Sequence, residues 1–290
     1  MNIRHLLLTT DLSDNARGAY QCATSLASKF DANLQLIHFA GAIPNLIPTT
    51  SRETLLNALE KTLADESNQH PAFEGIDVQP RLEQQRWTRK RQRTLEQELG
   101  IDLIVMSPQG RTGLAQMLLG SFADRMVRHS SVPVLLFRPV ENSGTLDPRT
   151  VLVPHDFYDR PQAILPAMRW LDRHYSSTFR FLHVYDPSLS TGSQSVRGME
   201  QQFALALKSP NTMSIEDRFA KLVDEDLQGL DVTLETAQGI PSQQVVQRAN
   251  QLPADLVLLG KRDGLGSVAR TVIREAKCSV LTIPTSGEDD

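Results

Sequence analysis

The sequence predicts an α/β protein of two tandem doubly wound domains, each a five-stranded parallel sheet of order 3-2-1-4-5 with flanking helices. Three observations carry this. The chain has 290 residues, about twice the usual size of one domain. Its two halves repeat one another at a nearly constant offset. Within each half, short Val/Ile/Leu runs alternate with amphipathic stretches, the pattern of a parallel sheet covered on both faces.

The repeat begins at the first strand. Leu6 to Asp11 and Leu152 to Asp156 are short apolar runs that end on an aspartate, and the two aspartates lie 145 residues apart. At the same offset Leu36-Ile37-His38 matches Phe181-Leu182-His183, so the register holds across a strand-helix-strand unit. Asp102 to Met106 then matches Asp255 to Leu259, Gly120-Ser121 matches Gly266-Ser267, and Pro133-Val134-Leu135 matches Ser279-Val280-Leu281. The expected strands of the first half fall near 5–11, 33–40, 77–83, 102–107 and 134–138. Those of the second fall near 150–156, 178–185, 231–236, 255–260 and 279–283. Domains are expected at 1–140 and 150–290, with 141–149 as a linker rich in Asn, Ser, Gly, Asp and Pro. A weakly structured excursion is expected over Ser188–Asn211.

Composition narrows the function. Apolar residues at 40% and charged residues at 22% are those of a globular protein. A formal net charge of −4 gives no global attraction to nucleic acid or anionic lipid. The lack of any apolar run near the ~20 residues that span a bilayer, and of a signal-like N-terminus, leads to a cytoplasmic expectation. Cys22 and Cys278 lie far apart within apolar periodic segments and read as buried thiols.

In an open α/β sheet, ligands bind beyond the carboxyl ends of the strands, where the strand order reverses. In the first half that point lies between the ends of strands one and four, which carry Asp11 and the segment Ser107–Ser121. This segment is a glycine-containing turn that opens onto a helical run from Phe122 to His129. Unpaired N–H groups at a helix start favour phosphate, and glycine admits close approach.

Here the sequence resembles the universal stress protein family, in its tandem form. Nucleotide-binding members of that family carry Gly-x-x-Gly, nine residues, then Gly-Ser or Gly-Thr. Gly110, Gly120 and Ser121 fill three of these positions with nine residues between the glycines, and Ser107 stands in place of the first glycine. The resemblance covers essentially the whole chain. It implies ATP, with or without Mg²⁺, in the first domain only, with Asp11 at the adenine end and the backbone near Phe39 and Ala40 bordering the base. Ser107, Gly110, Arg111, Gly120 and Ser121 would surround the phosphates. It also implies that Val134–Arg138 and Val280–Ile283 form the edge by which members pair. The two halves would then mimic a dimer, with a homodimer of the whole chain left open.

Two departures matter. Ser107 adds a side chain and Pro108 removes an N–H donor from the turn. In the second half Gly260, Asp263, Gly266 and Ser267 correspond, but only Gly264 and Leu265 remain of the nine-residue segment. Asp263 also places a carboxylate where phosphate would approach. No nucleotide site of the family's type is expected there, and Asp156 reads as a helix-start residue.

Other features have plainer readings. His38 and His183 lack neighbours at metal-ligand spacing and read as packing residues. Arg86, Arg89, Lys90, Arg91 and Arg93 cluster around Trp87, either as a solvated helix face or as the footprint of an anionic partner. No phosphate-loop, nucleophile-turn or metalloprotease motif is present. The expected protein is a non-enzymatic stress-response protein that holds ATP in its first domain, with slow hydrolysis left open. The competing expectation is an interaction module of the same fold that binds no nucleotide.

Overall fold

The computed structural model describes residues 1–41, 48–85, 87–109, 120–139, 144–157, 161–185, 213–251, 254–261 and 264–285. In the first half these form β1 (His5–Thr9), α1 (Asp14–Arg17), α2 (Tyr20–Phe30), β2 (Asn33–Phe39), α3 (Thr49–Gln69), β3 (Val78–Glu83), α4 (Arg89–Glu98), β4 (Leu103–Met106), α5 (Ser121–His129) and β5 (Val134–Leu136). The second half contributes β6 (Thr150–Pro154), α6 (Leu165–Tyr175), β7 (Thr178–Tyr185), α7 (Ile215–Glu225), β8 (Val232–Gln238), α8 (Pro241–Gln251), β9 (Leu256–Lys261), α9 (Ser267–Glu275) and β10 (Ser279–Pro284).

Strand order is β3-β2-β1-β4-β5-β10-β9-β6-β7-β8, so each half has the order 3-2-1-4-5. All pairs within a half are parallel. The halves meet at one antiparallel pair, Val134↔Thr282, Leu135↔Leu281 and Leu136↔Val280. The carboxyl ends of the two sets of strands therefore point to opposite edges of one ten-stranded sheet. Alternate strand residues feed two apolar layers. Leu6, Leu8, Val151, Val153, Leu256 and Leu258 face one. Leu7, Leu152, Val257 and Leu259 face the other. Each layer runs through both halves.

Fine details repeat as well. α2 ends on Asp31 and α6 on Ser176, both left-handed, at φ 49° and 52°. The Asp102 carboxylate accepts from the N–H groups of Arg4 (2.8 Å) and His5 (3.0 Å), and Asp255 accepts from Thr150 N–H (2.8 Å). Both aspartates thus tie the start of strand four to the start of strand one.

Two cations cross the joint. Lys261, at the end of β9, donates from Nζ to the carbonyls of Arg128 (3.1 Å) and Ser130 (3.0 Å), at the C-terminus of α5. Arg138, just past β5, donates from Nη2 to the carbonyl of Ile273 at 2.6 Å, near the C-terminus of α9. Each half thus places a positive charge where the other's helix ends in unpaired carbonyls, the favourable sense of the dipole.

The excursion expected over Ser188–Asn211 lies outside the described residues. Of the expected linker, residues 144–149 are described, and Leu146 packs against the first apolar layer. A Cβ on Gly144 would meet Gln21 Oε1 at 2.0 Å, so this stretch lies directly on α2.

Candidate functional site

β1 ends at Thr9, two residues before the expected aspartate, because the chain then turns sharply through Leu12 at φ 64°. An L-residue pays roughly 1–2 kcal/mol for that left-handed conformation. The surrounding hydrogen bonds hold it there. Leu12 N–H donates to Thr10 Oγ1 (2.9 Å), and the Thr10 hydroxyl is bonded to the buried Tyr20 hydroxyl at 2.6 Å. His38 Nδ1 lies 2.8 Å from the Thr10 carbonyl, to which it donates. Asp11 is presented by this turn, its Oδ1 accepting from Ser13 N–H (3.0 Å) and Ser13 Oγ (2.5 Å). Ser13 in turn caps α1 by accepting from Ala16 N–H. Asp11 is thus one step removed from the helix cap.

Above these residues lies a cavity of about 270 Å³ bounded by Thr10, Asp11, His38, Phe39, Ser107 and Gly120, with Ser121 and Phe122 at the start of α5. Phe39 and Phe122 pack against each other at its wall, ring centroids 5.1 Å apart. α5 opens at Gly120 with no side chain bonded to its first N–H groups, which leaves donors and the positive end of the helix dipole at the crevice. Gly120 N–H donates to the Pro108 carbonyl at 3.0 Å, so the intervening segment leaves and returns at one point. The Ser107 hydroxyl sits 3.4 Å from Gln109 N.

The structure therefore brings together Asp11, Phe39, Ser107, Gly120 and Ser121. Ala40 is not among the lining residues; its N–H donates to the Glu83 carbonyl at 3.0 Å. Gly110 and Arg111 lie outside the described residues, as do Asp263 and Arg86. Sequence reasoning missed Thr10 and Tyr20, which fix the turn, and Phe122, which packs against Phe39. The one available signal was that Thr10 and His155 occupy equivalent positions before the two aspartates.

The second half builds the same turn with different atoms. Phe157, at φ 61°, matches Leu12, and its N–H donates to His155 Nδ1 at 2.9 Å. Burial holds the His155 imidazole below its ordinary pKa, consistent with a neutral ring accepting at Nδ1. His183 Nδ1 lies 3.3 Å from the His155 carbonyl, as His38 does from Thr10. Here the crevice is larger, about 590 Å³, and bounded chiefly by Ile164, Leu182, Val245, Leu259, Leu265 and Val268. The shortened connection passes through Gly264 at φ +88°, where a side chain would be strained.

Of the basic cluster, Arg91 is taken up in packing, whereas Arg89, Lys90 and Arg93 are exposed. Arg91 pairs with Glu83 (2.6 Å) and Glu98 (3.3 Å). Gln92 Nε2 donates to the Met126 carbonyl (3.0 Å), and Glu96 accepts from Ser131 N–H (2.9 Å). α4 thus lies against the C-terminal end of α5. Burial, then the charges of Arg89 and Arg128, hold His129 below its ordinary pKa. Positive charge that opposes the dipole at the start of α4 is placed beside the carbonyl end of α5, which favours it.

Among the described residues there is no group of three or more His, Cys, Asp or Glu arranged to hold a metal ion. Nor, among them, is any helix long and apolar enough to cross a membrane.

Known proteins fit this architecture. The universal stress protein family matches residues 2–138 and again 148–284. Universal stress protein MJ0531 of Methanocaldococcus jannaschii is 29% identical over 147 residues, 47% of this chain and 82% of that protein. A universal stress protein from Archaeoglobus fulgidus superposes with a TM-score of 0.66 at 17% identity, covering 98% of this chain and 99% of its own. A protein of unknown function from Pseudomonas aeruginosa PAO1 gives 0.59 at 14% identity, covering 97% and 92%. The chain belongs to the universal stress protein family and carries the family's unit twice.

Proposed function

We propose that this is a cytoplasmic stress-response protein whose first domain, residues 1–140, binds one adenine nucleotide, ATP by preference, without catalysis as its task. The observation that carries the reading is the crevice at the strand-order reversal. There the Asp11 carboxylate, the Phe39 and Phe122 rings and the uncapped start of α5 converge on one cavity. A carboxylate suits the hydroxyls or amine of a nucleoside, an aromatic pair suits a base, and a helix start suits phosphate. Gly110 and Arg111 would complete the phosphate side, and Mg²⁺ would accompany the triphosphate. In the second domain, residues 150–290, β10 takes the place of a second chain at the β5 edge, so the second half serves as a built-in partner.

The test is calorimetric titration with ATP. One site per chain is expected, and Gly120→Val should weaken it by more than tenfold, at least ~1.4 kcal/mol, with circular dichroism unchanged. Gly120 has φ −60°, so valine is tolerated by the backbone and the loss would report its side chain. Unchanged affinity in the folded variant, or no ATP binding by the wild type, would replace this reading with the nucleotide-free interaction module.

A further inference from the structure

We infer that the second crevice is a binding site for a small apolar molecule, held by its hydrophobic body rather than by phosphate contacts. At about 590 Å³ it has more than twice the volume of the first, about 270 Å³, and lies in the size range of sites for drug-sized ligands. Its walls come from β7 (Leu182, Val184), β9 (Leu259), α8 (Val245) and α9 (Val268, Ala269). All lie in regular strands and helices. The walls therefore persist without the long loop that the second half lacks.

Two of its polar side chains are engaged elsewhere, and the uncapped start of α9 at Gly266 is the polar edge that remains. Lys261 lines the cavity, yet its ammonium is turned out of it, onto the Arg128 and Ser130 carbonyls of the other half. His155 accepts from Phe157 N–H through Nδ1. Asp156, the exposed counterpart of Asp11, also lines the cavity. Ile240, next in sequence to the lining residue Pro241, is 49% exposed. Apolar surface that is concave inside and exposed at its edge gains by accepting an apolar guest.

The probe is N-phenyl-1-naphthylamine, an uncharged fluorophore that brightens in apolar surroundings, titrated into the full chain with and without saturating ATP. Saturable binding of one probe per chain, not displaced by ATP, is expected. Hydrogen–deuterium exchange on the wild type should show protection concentrated in peptides covering 241–251 and 264–275. Ala269→Trp and Val268→Trp, which fill the cavity from α9, should weaken the probe at least tenfold when folded, whereas Gly120→Val should leave it unchanged. Absence of saturable binding, protection confined to the first half, or undiminished affinity in either folded filling variant would overturn the inference. Because ATP binding is read separately, failure here and failure of the nucleotide reading are distinguishable.

Discussion

The two crevices share a backbone and differ in what fills it. In both, strand one ends in a turn through a left-handed non-glycine residue, Leu12 or Phe157, and a strand-two histidine reaches the same carbonyl. In the first half the turn is held by two hydroxyls, Thr10 and Tyr20. In the second it is held by an imidazole, and Leu165 occupies the position equivalent to Tyr20. Both are edged by an aspartate and a helix start, but the first is small and carries the Phe39 and Phe122 rings, whereas the second is roomy and walled mainly by aliphatic residues. The fold thus supplies the concavity, and a few side chains with one loop length decide what it suits.

The comparison is broken most severely by attacking the hydroxyl pair. Thr10→Val should destabilise the chain by about 2 kcal/mol, because Leu12 N–H loses its acceptor and the buried Tyr20 hydroxyl loses its bond to Thr10. Urea denaturation measures this, and Tyr20→Phe in the same background should restore part of the loss. A Thr10→Val protein as stable as the wild type would show that the turn needs no such support.

A smaller effect should separate the two aspartates. Asp11→Ala is expected to weaken ATP by about tenfold, ~1.4 kcal/mol, and Asp156→Ala to leave it within twofold. Equal losses would erase the proposed division between halves.

The smallest effect concerns pH. Burial depresses His155 below its ordinary pKa of 6.5, so the unfolded chain binds the proton more readily. Stability contributed by the neutral ring is complete above that ordinary value and falls as pH drops toward the folded value. Thr10 does not titrate there. His155→Asn, whose amide oxygen can accept from Phe157 N–H, should flatten the decline in melting temperature between pH 7.5 and 5. Part of the slope should remain, because burial also lowers His129 and His174. An unaltered slope would remove His155 from the pH response.

Much of the fold was legible because its determinants are local and doubled. Leu6–Leu8 and Val151–Val153 are buried strands in both halves, and an aspartate follows each strand one. That Asp11, Ser107, Gly120 and Ser121 would meet was legible through spacing and strand context, and Phe39 was expected through the family resemblance. Thr10 was not, since a threonine at a strand end has no chemical signature until Tyr20 folds against it. The roomy second crevice was hidden for a different reason. Loss of seven loop residues reads in sequence as loss of a site, whereas the walls at Leu182, Val245 and Val268 belong to elements the deletion does not touch. Lys261 likewise gives no sign in sequence that it reaches α5 of the other half.

The antiparallel seam between β5 and β10 has a consequence for dilution. Separate chains meeting along such an edge would come apart as their concentration fell, whereas here both edges belong to one polypeptide, joined through residues 137–149. A short tether of this kind sets a local concentration in the millimolar range, well above that of a scarce cellular protein. Closure of the seam within one chain therefore does not depend on expression level. It also frees the two sides from symmetry: a substitution in a self-associating chain appears twice, but here Thr10 and His155 can answer to different demands within one molecule.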